Sequence, residues 1–191
     1  MTSLLYIHGF NSSPQSLKAR QMAQHFAAHS SSARLIVPSL PPAPREAMAL
    51  LEREIAGAGS VALVGSSLGG FYATWLAHRH GLKAALINPA VRPWGLLDQY
   101  SGEQANYHTG ERYTLQPGWV DDLRHYEVDE ISAPENLLVM LQTGDETLNW
   151  RDAWDYYGDC NLYRALGGSH GFDDFDALIP LVLRFSGISL N

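Results

Sequence analysis

The stretch SVALVGSSLGGFYATWLAHRH, residues 60–80, changes its pattern halfway along. Ser60 to Val64 is a short apolar run suited to a buried strand, and Leu68 to His80 is a helix-forming segment. Between them lies Gly65-Ser66-Ser67-Leu68-Gly69. A serine in a G-x-S-x-G frame, directly after a strand and directly before a helix, stands at the tip of a sharp turn with its hydroxyl exposed. The flanking glycines are needed because side chains two positions away would collide as the turn closes. That framing selects Ser67 over Ser66 as the candidate nucleophile.

Outward from this stretch, short apolar runs alternate with segments of helical period, which predicts an α/β fold: a mostly parallel sheet with helices on both faces. The six candidate strands are residues 3–8, 34–37, 60–64, 83–88, 136–143 and 161–165. Ser13 followed by Pro14 predicts a capped first helix with the apolar stripe Ala19, Met22, Ala23 and Phe26. Pro44 opens a second helix, and Asn149 to Tyr157 is a fourth. In the last helix Phe175, Leu178, Ile179 and Val182 keep helical spacing, and Pro180 is expected in its first turn because it has no amide hydrogen to donate. Residues 89–134 are too long for a plain crossover. Their PWGLLDQY and PGWVDDLRHY portions predict two short amphipathic helices in a small lid-like insertion. One domain over residues 1–191 is expected.

A free serine hydroxyl is a poor nucleophile at neutral pH and needs a base. Of eight histidines, His170 lies in the glycine-rich GGSHGF after the last strand, where a loop can bring an imidazole over the strand ends. His25, His29, His78, His80 and His125 fall in expected helices, and His108 is the rival. The imidazole in turn needs a carboxylate to fix its tautomer. Asp145 closes the run LLVMLQTGD, between serine and histidine in chain order, with the adjacent Glu146 as the alternative. The oxyanion formed on attack requires two donors, for which the amides of Leu68 and, after the Tyr6-Ile7-His8-Gly9 strand end, Phe10 are the candidates. Gly9, Trp94, Leu97 and Tyr107, with Leu96 and Tyr100, are candidates for contact with substrate. Arg92 and Arg112 are the residues that could meet an anionic part of it.

Other classes find little support. A net charge of −7, with 13 scattered Lys and Arg, disfavours nucleic acid as a partner. There is no phosphate-binding Gly-Lys-Ser loop, no cysteine pair and no His-Glu-x-x-His helix, so neither a cofactor nor a metal is expected. The single Cys160 reads as a small buried hydrophobe. MTSLLYIHGF has no basic start and long apolar run, and no segment is apolar for the length of a membrane span, which sets the expectation of a cytoplasmic protein without membrane insertion. Oligomeric state is open.

Five stretches, YIHGFNSSPQSLKA (6–19), VGSSLGGFYATWLA (64–77), NPAVRP (88–93), TGD (143–145) and GGSHGFDDF (167–175), closely resemble the small bacterial YqiA-like esterases of the α/β-hydrolase superfamily. The resemblance implies esterase activity with Ser67, Asp145 and His170 as the triad. It also implies a reduced α/β-hydrolase fold that lacks the first two strands of larger members, so that the second strand lies outside the first and the rest step the other way. It leaves the substrate open: an ester, an acyl thioester, an acyl group passed to a second nucleophile as in an acyltransferase, or an amide as in a peptidase. A noncatalytic small-molecule binding protein on the same fold is the alternative of another class.

Overall fold

In the computed structural model, described for residues 2–29, 33–97, 100 and 102–189, strand β1 (Thr2–Ile7) leads through helix α1 (Leu17–Ala28) to β2 (Arg34–Ile36). Helix α2 (Pro44–Ala58), β3 (Ser60–Ser66), α3 (Leu68–His80) and β4 (Ala84–Ile87) follow. After an insertion come β7 (Leu137–Gln142), α6 (Trp150–Tyr156), β8 (Asn161–Ala165) and α7 (Phe175–Phe185). The insertion holds α4 (Trp94–Leu97), β5 (Glu103–Ala105), β6 (Arg112–Thr114) and α5 (Gly118–Arg124). The main sheet runs β2-β1-β3-β4-β7-β8, and all five pairings are parallel. This is the order expected, with β3 near the middle.

Strand residues alternate between the two faces, and each face has its own core. Leu5, Ile7, Val61, Leu63, Leu86 and Val139 pack beneath α2, α3 and α6. Leu4, Tyr6, Ala62, Val64, Ile87 and Met140 pack beneath α1 and α7. Every residue of β4 and β7 is consequently buried, which is why these strands read as unbroken apolar runs. No helix among the described residues is long and apolar enough to cross a membrane.

Three expectations are corrected. Helix α1 starts at Leu17, not beside Ser13: the Ser13 hydroxyl accepts from Gln15 N, its carbonyl from Ser16 N, and Ser16 at ψ 150° ends this separate turn. Ala23 leaves the apolar stripe for solvent, while Ala19 and Met22 are buried. Pro180 lies in the interior of α7, not in its first turn. It faces solvent between buried Ile179 and Val182, so water can satisfy the Asp176 carbonyl that the proline cannot.

The insertion forms the two expected short helices and, unexpectedly, an antiparallel hairpin, with Gln104 opposite Tyr113. It is fastened down at both ends. Asp122 of α5 pairs with Arg45 of α2, and Leu123 is fully buried. The hairpin is stapled to the turn after β1: Asn11 Nδ2 donates to Gln104 Oε1 (3.1 Å), Tyr107 N to Asn11 O (2.8 Å), Asn106 Nδ2 to Ser12 O (2.7 Å), and the Tyr113 hydroxyl to Asn11 Oδ1.

Candidate active site

Strand β3 ends against Ser67, whose backbone at φ 56°, ψ −122° lies where non-glycine residues are rare. Such a conformation costs about 1–3 kcal/mol and survives only where its surroundings dictate it. Here they do. A methyl group on Gly65 would overlap the Gly69 backbone, and one on Gly69 would overlap the carbonyls of Ile7 and His8. Ser67 N donates to Ile87 O (3.1 Å), and Ser67 O accepts from Gly70 N (2.9 Å) and Ala90 N (3.0 Å). The turn is thereby locked between the ends of β1 and β4.

The loop after β8 brings His170 over this turn. His170 Nε2 lies 3.1 Å from Ser67 Oγ, and Nδ1 lies 2.8 Å from Asp145 Oδ2. The network assigns the proton to Nδ1 and leaves the Nε2 lone pair facing the serine. The Asp145 side chain is only 1% exposed, yet its other oxygen accepts from Thr147 N (2.9 Å) and Leu148 N (2.8 Å). This buried carboxylate is therefore satisfied on both oxygens, as its desolvation demands. Glu146, the alternative acid, instead accepts the backbone N–H of His170 at 2.9 Å. His108 sits on the exposed hairpin loop, its amide bound to Asn106 Oδ1, and it is His170, not His108, that meets the Ser67 hydroxyl.

The turn after β1 presses directly on Ser67: a Cβ on Gly9 would lie 3.1 Å from Ser67 Cβ. The amides of Phe10 and Leu68 donate to no acceptor among the described residues, and both residues wall the cavity containing Ser67 and His170. That cavity is about 210 Å³, with Tyr100, Tyr107 and Leu148 completing much of the wall. Trp94 is placed elsewhere, its ring 6.4 Å from Phe71 and beneath the Arg124 guanidinium. The side chains of Leu96 and Leu97 lie outside the described residues. Arg92 and Arg112 pair with Glu127 (2.9 Å) and Glu103 (3.0 Å) on the surface and do not line the cavity. Cys160 is half-buried, which raises its thiol to about 11. Among the described residues no three His, Cys, Asp or Glu side chains converge as a metal set.

Sequence reading overlooked two side chains that hold the histidine loop. Asn88, 2% exposed at the end of β4, donates to the carbonyls of Ser169 (3.0 Å) and His170 (3.3 Å) and accepts from Gln142 N (3.0 Å). Gln142, at the end of β7, accepts from Ser169 N (3.1 Å) and Asp173 N (2.8 Å) and donates to Asp173 O (2.9 Å). A polar residue closing the apolar run LLVML was the available signal. Lys18 adds a third tether, from Nζ to Gly171 O at 2.7 Å, and burial lowers its ammonium to about 8.

A parallel sheet with a serine turn after a central strand, and with an acid and a histidine on the loops after its last two strands, β7 and β8, defines the α/β-hydrolase fold. Solved structures similar over nearly the whole length include Est1E from Butyrivibrio proteoclasticus with ferulic acid bound, at 12% identity and TM-score 0.68, covering 98% of this chain and 87% of that one. Alpha/beta hydrolase domain-containing protein 10 from mouse matches at 14% and 0.67, over 97% and 88% of the two chains. A variant of tomato methylketone synthase I complexed with β-ketoheptanoate matches at 9% and 0.70, over 97% and 96%. Identities this low establish the fold and nothing finer. The model of the uncharacterised protein family UPF0227 matches residues 3–187, and the chain belongs to that family, in keeping with its resemblance to the YqiA-like esterases.

Proposed function

We propose that this chain is a serine hydrolase that cleaves carboxylic esters or acyl thioesters through an acyl-enzyme on Ser67. The observation that carries this reading is the unbroken hydrogen-bond run from Ser67 through His170 to Asp145, opening onto a cavity beside two unengaged amides. His170 Nε2 takes the Ser67 proton as Oγ attacks the carbonyl carbon, and Asp145 stabilises the imidazolium. The Phe10 and Leu68 amides receive the oxyanion, whose charge is stabilised without reorganisation of the site. On collapse the imidazolium protonates the leaving oxygen or sulfur. Water, activated by the same nitrogen, then releases the acid.

The cavity is smaller than the roughly 300–1,000 Å³ that accommodates drug-sized ligands, so short acyl chains along Phe10, Leu68 and Tyr107 fit best. With Arg92 and Arg112 ion-paired outside it, simple esters lead over thioesters of charged carriers. The test is nitrophenol release from nitrophenyl esters of increasing chain length. Ser67→Ala and His170→Ala should each lower kcat by about 10⁴-fold or more. Full activity in Ser67→Ala removes the acyl-enzyme, and a folded native protein inactive across the series puts the noncatalytic binding reading first.

A further inference from the structure

A second cavity, of about 60 Å³, adjoins the first across Phe10 and Leu68. Its walls come from the turn after β1, from the loop after β2 at Ser39, and from the hairpin at Thr109, Glu111 and Tyr113. Neither lysine nor arginine lines it among the described residues. His8, which also lines it, has both ring nitrogens engaged: Nε2 accepts from Leu40 N at 3.2 Å while Nδ1 reaches Gly9 O at 3.1 Å, and burial lowers its pKa. Asn11 and Asn106 are consumed in stapling the hairpin. By contrast, the Ser39 hydroxyl and the Glu111 carboxylate are exposed and bind no described residue.

We infer that this second cavity is a polar subsite for the far end of the acyl group, and that the preferred substrates are esters of acids whose chain ends in a hydrogen-bond donor, such as a hydroxyl, and not in an anion. The inference rests on the ester-hydrolase reading and adds the acyl class to it. His170 walls only the first cavity, and the leaving group must remain within reach of Nε2 to be protonated. The leaving group therefore departs on the His170 side, and an acyl chain laid along Phe10 and Leu68 is what extends into the second cavity. There Glu111 and Ser39 offer oxygen acceptors, and the carboxylate of Glu111 repels an acyl chain that ends in its own.

The experiment keeps nitrophenol as the leaving group throughout. Nitrophenyl esters of straight-chain acids of four, six and eight carbons are each compared with the terminally hydroxylated and the terminally carboxylated acid of the same length. At the length that spans the two cavities, kcat/KM for the hydroxylated ester should exceed the plain one by about 3–10-fold, the value of one net hydrogen bond. The carboxylated ester should fall below both. Glu111→Ala and Ser39→Ala, both on the surface, should reduce the hydroxyl preference, and Glu111→Lys should raise the carboxylated ester relative to the plain one. The subsite is overturned if plain esters match hydroxylated ones at every length, or if the preference survives in both alanine variants. Turnover of the plain esters reports separately on the hydrolase itself: its absence removes that reading and this one with it, whereas plain turnover without preference removes only the subsite.

Discussion

The turn that carries Ser67 is fixed by backbone packed against backbone, whereas the loop that carries His170 hangs from the side chains of Asn88 and Gln142. The first arrangement tolerates no added atom at Gly65 or Gly69. The second tolerates no lost polar group, because buried carbonyls and amides would be left unpaired. Two parts of one candidate site thus depend on opposite properties of their neighbours, the absence of a side chain in one and the presence of a particular one in the other.

The largest effect should come from breaking the first arrangement. Gly69→Ala places a methyl group against the Ile7 and His8 carbonyls, which are backbone and cannot step aside. A loss of about 3 kcal/mol or more in unfolding free energy is expected. A urea midpoint close to that of the native protein would show that the two strand ends have room that their contacts do not suggest.

Breaking the second should injure catalysis more selectively. Asn88→Ala strands the Ser169 and His170 carbonyls and Gln142 N, and should cost about 2 kcal/mol of stability. It should also lower kcat by about 10- to 100-fold with little change in KM, because the imidazole loses its position while the cavity wall remains. Gln142→Glu keeps an acceptor for Ser169 N and Asp173 N but sets a second acceptor against Asp173 O in place of the donor, so one tether is lost and its kcat should lie between that of the native protein and that of Asn88→Ala. Equal losses in kcat for both variants would mean that the loop is held by something other than these bonds.

The smallest effect sharpens the comparison from the side of the β1 turn. Burial holds His8 below its ordinary value of 6.5, and Leu40 N–H occupies the nitrogen that would gain the proton. As pH falls below 6.5 the unfolded chain takes up a proton that the folded chain refuses, so stability present above that pH is lost on acidification. The denaturation midpoint of the native protein should therefore drop between pH 7.5 and 5.5. In His8→Gln, whose side-chain oxygen can still accept from Leu40, it should drop less. Parallel curves would assign the acid sensitivity to other groups.

The same contrast explains what sequence alone could convey. Glycines and strand-end apolar runs leave a local pattern, so the Ser67 turn and the approximate extent of all six main strands were legible, whereas the sheet order followed from the family resemblance and not from any local signal. Asp145 and His170, which the structure brings to Ser67, could be singled out as candidates because each stands in a short loop directly after a recognisable strand. Asn88 and Gln142 were not, since their partners lie 81 and 31 residues away in the case of Ser169 and Asp173, and nothing local distinguishes a buried asparagine from one at an ordinary turn. The hairpin was missed because its strands are three residues each and lack the apolar alternation of a half-buried strand. Pro180 was misplaced because helix rules describe the backbone donor that proline lacks, not whether the orphaned carbonyl faces water.

The staples between the hairpin and Asn11 and Ser12 have a consequence for exchange between relatives. The residues that seat the hairpin also form the turn that presents the Phe10 amide, so the wall of the cleft and the placement of that amide are coupled as one piece. Grafting another protein's hairpin onto this scaffold would import foreign side chains onto a native seat, and the disturbance would pass through Asn11 to the Phe10 amide one residue away. A new specificity is more safely introduced by point changes at the outward tips, Thr109 and Glu111, than by swapping the loop whole.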